Sequence, residues 1–194
     1  MSAGFNPRIL NFEKKIEMAE DSKEVKEILE NFQSSNPEIV LDAIKKNRAD
    51  GNAKTFSAML VLLKQTDEPL VEAAIIQFLF DLKDEESIPV LVDALEDEEM
   101  SYYHSFLVSA FWQSAIDGSA HIHLFVKLAI EGDYMTALEA LTVVENFDTQ
   151  FSLSDLEEYG ADLNIAIENE ENQDKKPILT SMADVVRNLA VEGE

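Results

Sequence analysis

Two histidines, His121 and His123, are the residues that most readily suggest chemistry, because imidazole is a common metal ligand. They stand two positions apart in a segment whose apolar spacing is typical of a helix. Residues two apart on a helix point about 200° apart, so the two rings are not expected to share one ion. The chain has no cysteine and only one other histidine, His104. We therefore predict no metal site and no cofactor.

A catalytic arrangement is also not apparent in the sequence. A nucleophile requires Ser, Lys or Cys beside a base in a cleft, and no spacing of these residue types singles out such a pair. A glycine-rich phosphate-binding loop is absent from the sequence. We expect no catalytic residues and no enzymatic activity.

The charge of −24 is distributed very unevenly along the chain. Residues 1–83 carry −3, residues 84–174 carry −21 and residues 175–194 carry no net charge. Lys127 is the only basic residue of the middle block. Such a field disfavours nucleic acid and anionic membranes, and it favours a basic protein or peptide as partner. The alternative is that the acidic residues serve solubility alone.

Five residues of the acidic block are candidates for contact with a partner. Most aromatic residues at helical spacing belong to a core, but Tyr102 and Trp112 fall outside the apolar stripe of their segment. Tyr and Trp are frequent anchors of binding surfaces. The other three candidates, on a later helix, are Glu157, Glu158 and Asp162. In stacked hairpins the second helices share a face, which here groups the helices near 87–96, 119–131 and 154–170.

Helical hairpins are the elements expected to position these residues, and the segment Asp67–Asp97 shows the pattern most clearly. It has the spacing of two apolar helices joined by an acidic turn. Pro69 and Pro89 each stand in a first helical turn, where the missing N–H costs nothing. Ser154–Glu157 fits a capping box at the start of a later helix. The helix starts recur every 31 to 34 residues, at Pro37, Pro69, Met100 and Tyr134. A period of this length indicates stacked helical hairpins.

The sequence predicts an all-α protein, a right-handed α-α superhelix of about ten helices in one repeat domain covering 1–194. A first helix is expected from Arg8 to about Glu20. The predicted parts are N-terminal helices at 8–35, hairpins at 36–66, 67–97, 98–132 and 133–172, and a C-terminal capping helix at 174–191.

One hairpin resembles a known repeat. Glu68–Ile75, with Asp84–Leu91 and Ala94–Asp97 after it, is similar to the short bacterial HEAT-like repeat. That family alternates a D-x-x-V-R-x-A-A helix with an I-P-x-L-x-x-A-L-x-D helix. Glu72 stands where the family usually has arginine, and Met135–Leu141 is a fainter match. The resemblance implies a HEAT- or armadillo-like solenoid that binds other macromolecules without catalytic residues of its own.

These observations favour a non-enzymatic protein–protein interaction module, a scaffold or adaptor with an acidic surface. The alternatives within the repeat class are relatives of HEAT-like phycobilin lyases or of HEAT-like DNA glycosylases, and the charge disfavours the glycosylases because they need a basic groove. A structural role in a larger complex is a third option. No segment approaches the roughly 18 apolar residues of a membrane span, and no signal peptide is apparent, so we expect a cytoplasmic protein.

Overall fold

The computed structural model describes residues 22–83, 85–114 and 116–191. Ten α-helices occur in these ranges. They are α1 (Lys23–Asn31), α2 (Pro37–Asp50), α3 (Ala53–Gln65), α4 (Pro69–Leu79), α5 (Ile88–Glu96), α6 (His104–Gln113), α7 (Ile122–Glu131), α8 (Tyr134–Glu145), α9 (Leu153–Asn169) and α10 (Lys175–Asn188). Short 3-10 turns at Glu85–Ser87, Glu98–Tyr103 and Ser119–His121 precede α5, α6 and α7.

The prediction of an all-α protein is confirmed for this part of the chain. The described residues contain no strand, only an isolated parallel bridge between Phe151 and Val191, where the Phe151 N–H donates to the Ala190 carbonyl at 2.9 Å. None of the described helices is both long enough and apolar enough to cross a bilayer. The helix predicted from Arg8 to about Glu20 lies outside the described residues.

The predicted helix starts at Pro37 and Tyr134 are confirmed, and a polar side chain caps each of them. Asn36 precedes Pro37 and accepts the Glu38 N–H at 3.0 Å, so the helix starts where the Asn-Pro pair indicates. Asp133 accepts the Thr136 N–H at 2.7 Å and caps α8 in the same way.

Two helix starts differ from the prediction. The capping box at Ser154 is wrong, because α9 already begins at Leu153 and Ser154 bonds to the Ser152 hydroxyl at 2.8 Å instead of capping. The helix expected to start at Met100 is preceded by a 3-10 turn over Glu98–Tyr103, and regular α-helix starts only at His104. Asp97 caps that turn by accepting the Glu99 N–H at 3.0 Å.

The chain forms two compact units divided between Ile75 and Ile76, within α4. In the first unit α1, α2 and α3 contact one another, and their shared core buries Ile28, Ile44 and Met59. The grouping of all helices into hairpins of one repeat domain stays a prediction.

In the second unit some helices pack with the next helix along the chain, as α7 with α8 and α9 with α10, and others with the second neighbour, as α6 with α8 and α8 with α10. One layer consists of α6, α8 and α10, in which α8 lies between the other two. The second layer contains α7 and α9, which contact each other and cover α8 and α10. A series of phenylalanine rings joins these elements, with neighbouring centroids 5.0 to 6.0 Å apart, formed by Phe111, Phe125, Phe147 and Phe151.

Candidate functional site

An open groove of about 430 Å³ lies between α7 and α9 in the second unit. Both of its walls are helices, and each contributes five residues. The α7 wall consists of His123, Val126, Lys127, Ile130 and Glu131, and the α9 wall of Glu158, Tyr159, Asp162, Ile165 and Ala166. We call this concavity the α7–α9 groove.

Helical spacing explains why these residues share a face. The lining positions of each wall recur at intervals of three or four, so they form one stripe per helix. On α9 the fully buried Leu163 lies outside this stripe. Ile165, within the stripe, is 60% exposed although it is a large apolar side chain. The groove therefore combines an apolar surface with polar edges.

The edges of the groove are predominantly acidic. Glu131, Glu158 and Asp162 are exposed, and Lys127 is the only cation among the lining residues. The Lys127 ammonium lies 3.8 Å from Glu131, and both side chains are more than half exposed, so this pair contributes little to stability. The lining residues carry a net formal charge of −2 when the histidine is neutral.

The electrostatics of Tyr159 agree with this description. Burial raises the pKa of its phenol, and the nearby carboxylates of Asp155 and Glu158 raise it further. Both causes disfavour an additional negative charge at this position. An anionic ligand would meet the same repulsion, whereas a cation would be attracted.

The structure brings two of the three predicted acidic residues together. Glu158 and Asp162 lie one turn apart on the α9 wall. Glu157 is exposed on the same helix but does not line the groove. At about 100° per residue it is turned about 140° from Asp162 around the helix axis.

The predicted aromatic residues lie on α6 and on the 3-10 turn that precedes it. Tyr102 is 77% exposed and packs edge-on against Tyr103, with ring centroids 5.0 Å apart. Trp112, at the end of α6, is 41% exposed and donates its indole N–H to Glu139 Oε2 on α8 at 2.7 Å. Neither aromatic ring lines the α7–α9 groove.

The two histidines are arranged differently from the helical expectation. Their ring centroids are 6.3 Å apart, because His121 ends a 3-10 turn and only His123 belongs to α7. Burial lowers the pKa of His121, and the neighbouring His123 lowers it further. Among the described residues, no group of three or more His, Cys, Asp or Glu side chains is placed to hold a metal ion.

Sequence reasoning did not single out Ile165 or Lys175. Ile165 lies off the apolar stripe of α9, formed by Leu156, Leu163 and Ile167, and that offset is the signal that could have identified it. Lys175 is buried at the start of α10, whereas lysine is usually an exposed residue. Its two carbonyl partners, Ile130 and Gly132, lie more than 40 positions earlier in the chain, so no local pattern indicates them.

No family model matches the chain, and neither the curated proteins nor the solved structures contain a significant match.

Proposed function

We propose that this protein is a non-enzymatic interaction module whose α7–α9 groove binds a basic, partly apolar segment of a partner protein. The observation that carries the proposal is the placement of Glu158 and Asp162 beside the exposed Ile165 on one wall. Carboxylates at the edge attract lysine or arginine, and the apolar surface between them accepts an aliphatic side chain.

The packing of the second unit supports a HEAT-like α-solenoid as the scaffold. In a solenoid each helix contacts its immediate neighbour and the equivalent helix of the next repeat. Here α8 contacts α7 on one side and both α6 and α10 within its layer, while α9 contacts α7. We propose that the helices of this unit form hairpins that stack as a right-handed α-α superhelix, with α7 and α9 on its binding face.

The alternative, that the acidic residues serve solubility alone, predicts no dependence on their position. An exposed charge at the edge of an interface contributes about 0.5 to 1 kcal/mol at low salt. If the groove is the binding site, removing both groove carboxylates from α9 should weaken the binding of a cationic ligand about 5- to 30-fold. Removing two carboxylates elsewhere on the same helix should have a much smaller effect.

The test measures binding of a synthetic 14-residue peptide of Leu and Lys, with its lysines on one helical face, by titration calorimetry. We compare the unchanged protein with Glu158→Gln/Asp162→Asn at about 20 mM salt and at about 0.5 M salt, where the Debye length is only about 4 Å. The double variant should bind more weakly at low salt, and the difference should largely vanish at high salt.

Glu157→Gln/Glu168→Gln is the matched control, because both residues are exposed on α9 and neither lines the groove. It changes the net charge by the same amount and should retain nearly full affinity. A peptide in which Glu replaces every Lys should not bind. Equal losses in the two double variants would contradict the proposal and favour a general charge effect.

A further inference from the structure

A buried ammonium group connects the two walls of the α7–α9 groove at one end. Lys175 is the first residue of α10, and its side chain is 7% exposed. Its Nζ donates to the carbonyl oxygens of Ile130 and Gly132, both at 2.7 Å. The same nitrogen lies 3.3 Å from Glu170 Oε2. An ammonium group has three hydrogens, and these three oxygens can accept all of them.

The three acceptors belong to both walls. Ile130 and Gly132 lie at the C-terminal end of α7, where the last carbonyls of a helix have no partner within the helix. Glu170 is the residue that follows the last turn of α9. Because Ile130 also lines the groove, one of the residues that Lys175 contacts is itself part of the binding surface.

The surroundings of Lys175 keep this arrangement tight. Glu170 is held in place from the other side, since its Oε1 accepts the Asn172 N–H at 2.8 Å. Gly132 lies close against the first turn of α8, since a Cβ atom at this position would lie 2.7 Å from Thr136 Cγ2, and 2.6 Å from the Leu128 carbonyl oxygen of α7. A buried charge must keep its partners, since an unpaired one is costly.

We propose that Lys175 is a positioning residue that sets the distance between α7 and α9, and thereby determines whether the groove can bind its ligand. The binding part of this inference rests on the proposed function, whereas the distance part does not. Without the ammonium group the carbonyls of α7 and the carboxylate of Glu170 lose their common donor. The two helices then remain together only through side-chain packing, and the distribution of distances between them becomes broader.

The chain contains no cysteine, so a pair of introduced cysteines carries the only two spin labels. We place them at Lys127 on α7 and at Glu168 on α9, both exposed positions. The distance distribution between the labels is measured by pulsed electron spin resonance, without any ligand. Lys175→Met, which keeps the aliphatic chain and removes the charge, should broaden the distribution and lengthen its mean by a few ångströms.

Two variants separate positioning from general stability. Glu170→Gln weakens only the α9 side of the contact and retains an acceptor for Asn172, so it should broaden the distribution while circular dichroism remains unchanged. Glu171→Gln removes the same charge from the neighbouring exposed residue and should leave the distances unaltered. If Lys175→Met does not fold, Glu170→Gln still provides the test.

Unchanged distances in Glu170→Gln, or in a folded Lys175→Met variant, would overturn the positioning role. The Leu/Lys peptide then supplies the second measurement, on chains without labels, where Glu170→Gln should weaken binding several-fold more than Glu171→Gln. If the distances broaden but the peptide affinity is the same in both variants, the link to binding is wrong. If the unchanged protein does not bind the peptide at all, the proposed function fails while the distance result stands.

Discussion

Gly160 provides a quantitative test of the α9 wall. It is an interior residue of a helix of 17 residues, and a Cβ atom built on it meets nothing within 4 Å. Glycine in a helix interior costs about 0.5 to 1 kcal/mol relative to alanine, because it loses more backbone freedom on folding. Gly160→Ala should therefore stabilise the protein by that amount.

The matched control is the same substitution at Gly132. There the new methyl group would lie 2.6 Å from the Leu128 carbonyl oxygen, well inside van der Waals contact, so backbone or side chains must shift. Overpacking of this kind typically costs about 1 to 3 kcal/mol. One chemical change therefore has opposite expected signs at two positions of the second unit.

Urea unfolding and thermal unfolding, each followed by circular dichroism at 222 nm, measure both variants. For a protein of this size we expect Gly160→Ala to raise the melting temperature by about 1 to 4 °C. Gly132→Ala should lower both the urea midpoint and the melting temperature. A destabilising Gly160→Ala, or a neutral Gly132→Ala, would refute the reasoning about local space at these helices.

Three further predictions concern the second unit. Burial lowers the pKa of His104 and of His121 below the ordinary 6.5, so their stabilising contribution is present above that pH and is lost as the pH falls. The urea midpoint should therefore decrease from about pH 7.5 to about pH 5.5, and it should decrease less in His104→Gln. Phe125 is fully buried between Phe111 and Phe147, so Phe125→Ala should cost about 3 to 5 kcal/mol in the same assay, and a loss below 1 kcal/mol would contradict this packing. Lys127→Gln removes the only cation lining the groove and should tighten the Leu/Lys peptide up to about fivefold at low salt, whereas weaker binding would be inconsistent with an acidic groove.

The helices could be predicted from the sequence because their signals are local. Apolar residues at helical spacing and polar caps such as Asn36 before Pro37 involve residues only a few positions apart. The 3-10 turns before α5, α6 and α7 were not predicted, since apolar spacing does not distinguish a tight first turn from a regular one. The 3-10 turn before α7 also explains why His121 and His123 are not arranged as two positions of one regular helix.

The candidate site could be predicted only in part. The acidic residues of α9 were identified by charge, but the rotation that places Glu158 and Asp162 in the groove and Glu157 outside it depends on which face α9 buries. Lys175 could not be found, because its carbonyl partners lie more than 40 positions earlier in the chain. Contacts of that separation follow from packing and leave no spacing pattern.

The most direct test of the groove as a binding site observes isoleucine δ1 methyl groups by NMR while the Leu/Lys peptide is added. Ile130 and Ile165 line the groove, and Ile39, 41% exposed on α2, serves as an internal reference outside it. Our account predicts saturable shifts of the Ile130 and Ile165 signals, an unchanged Ile39 signal, and loss of the shifts in Glu158→Gln/Asp162→Asn. Saturable binding that leaves Ile130 and Ile165 unshifted would contradict it.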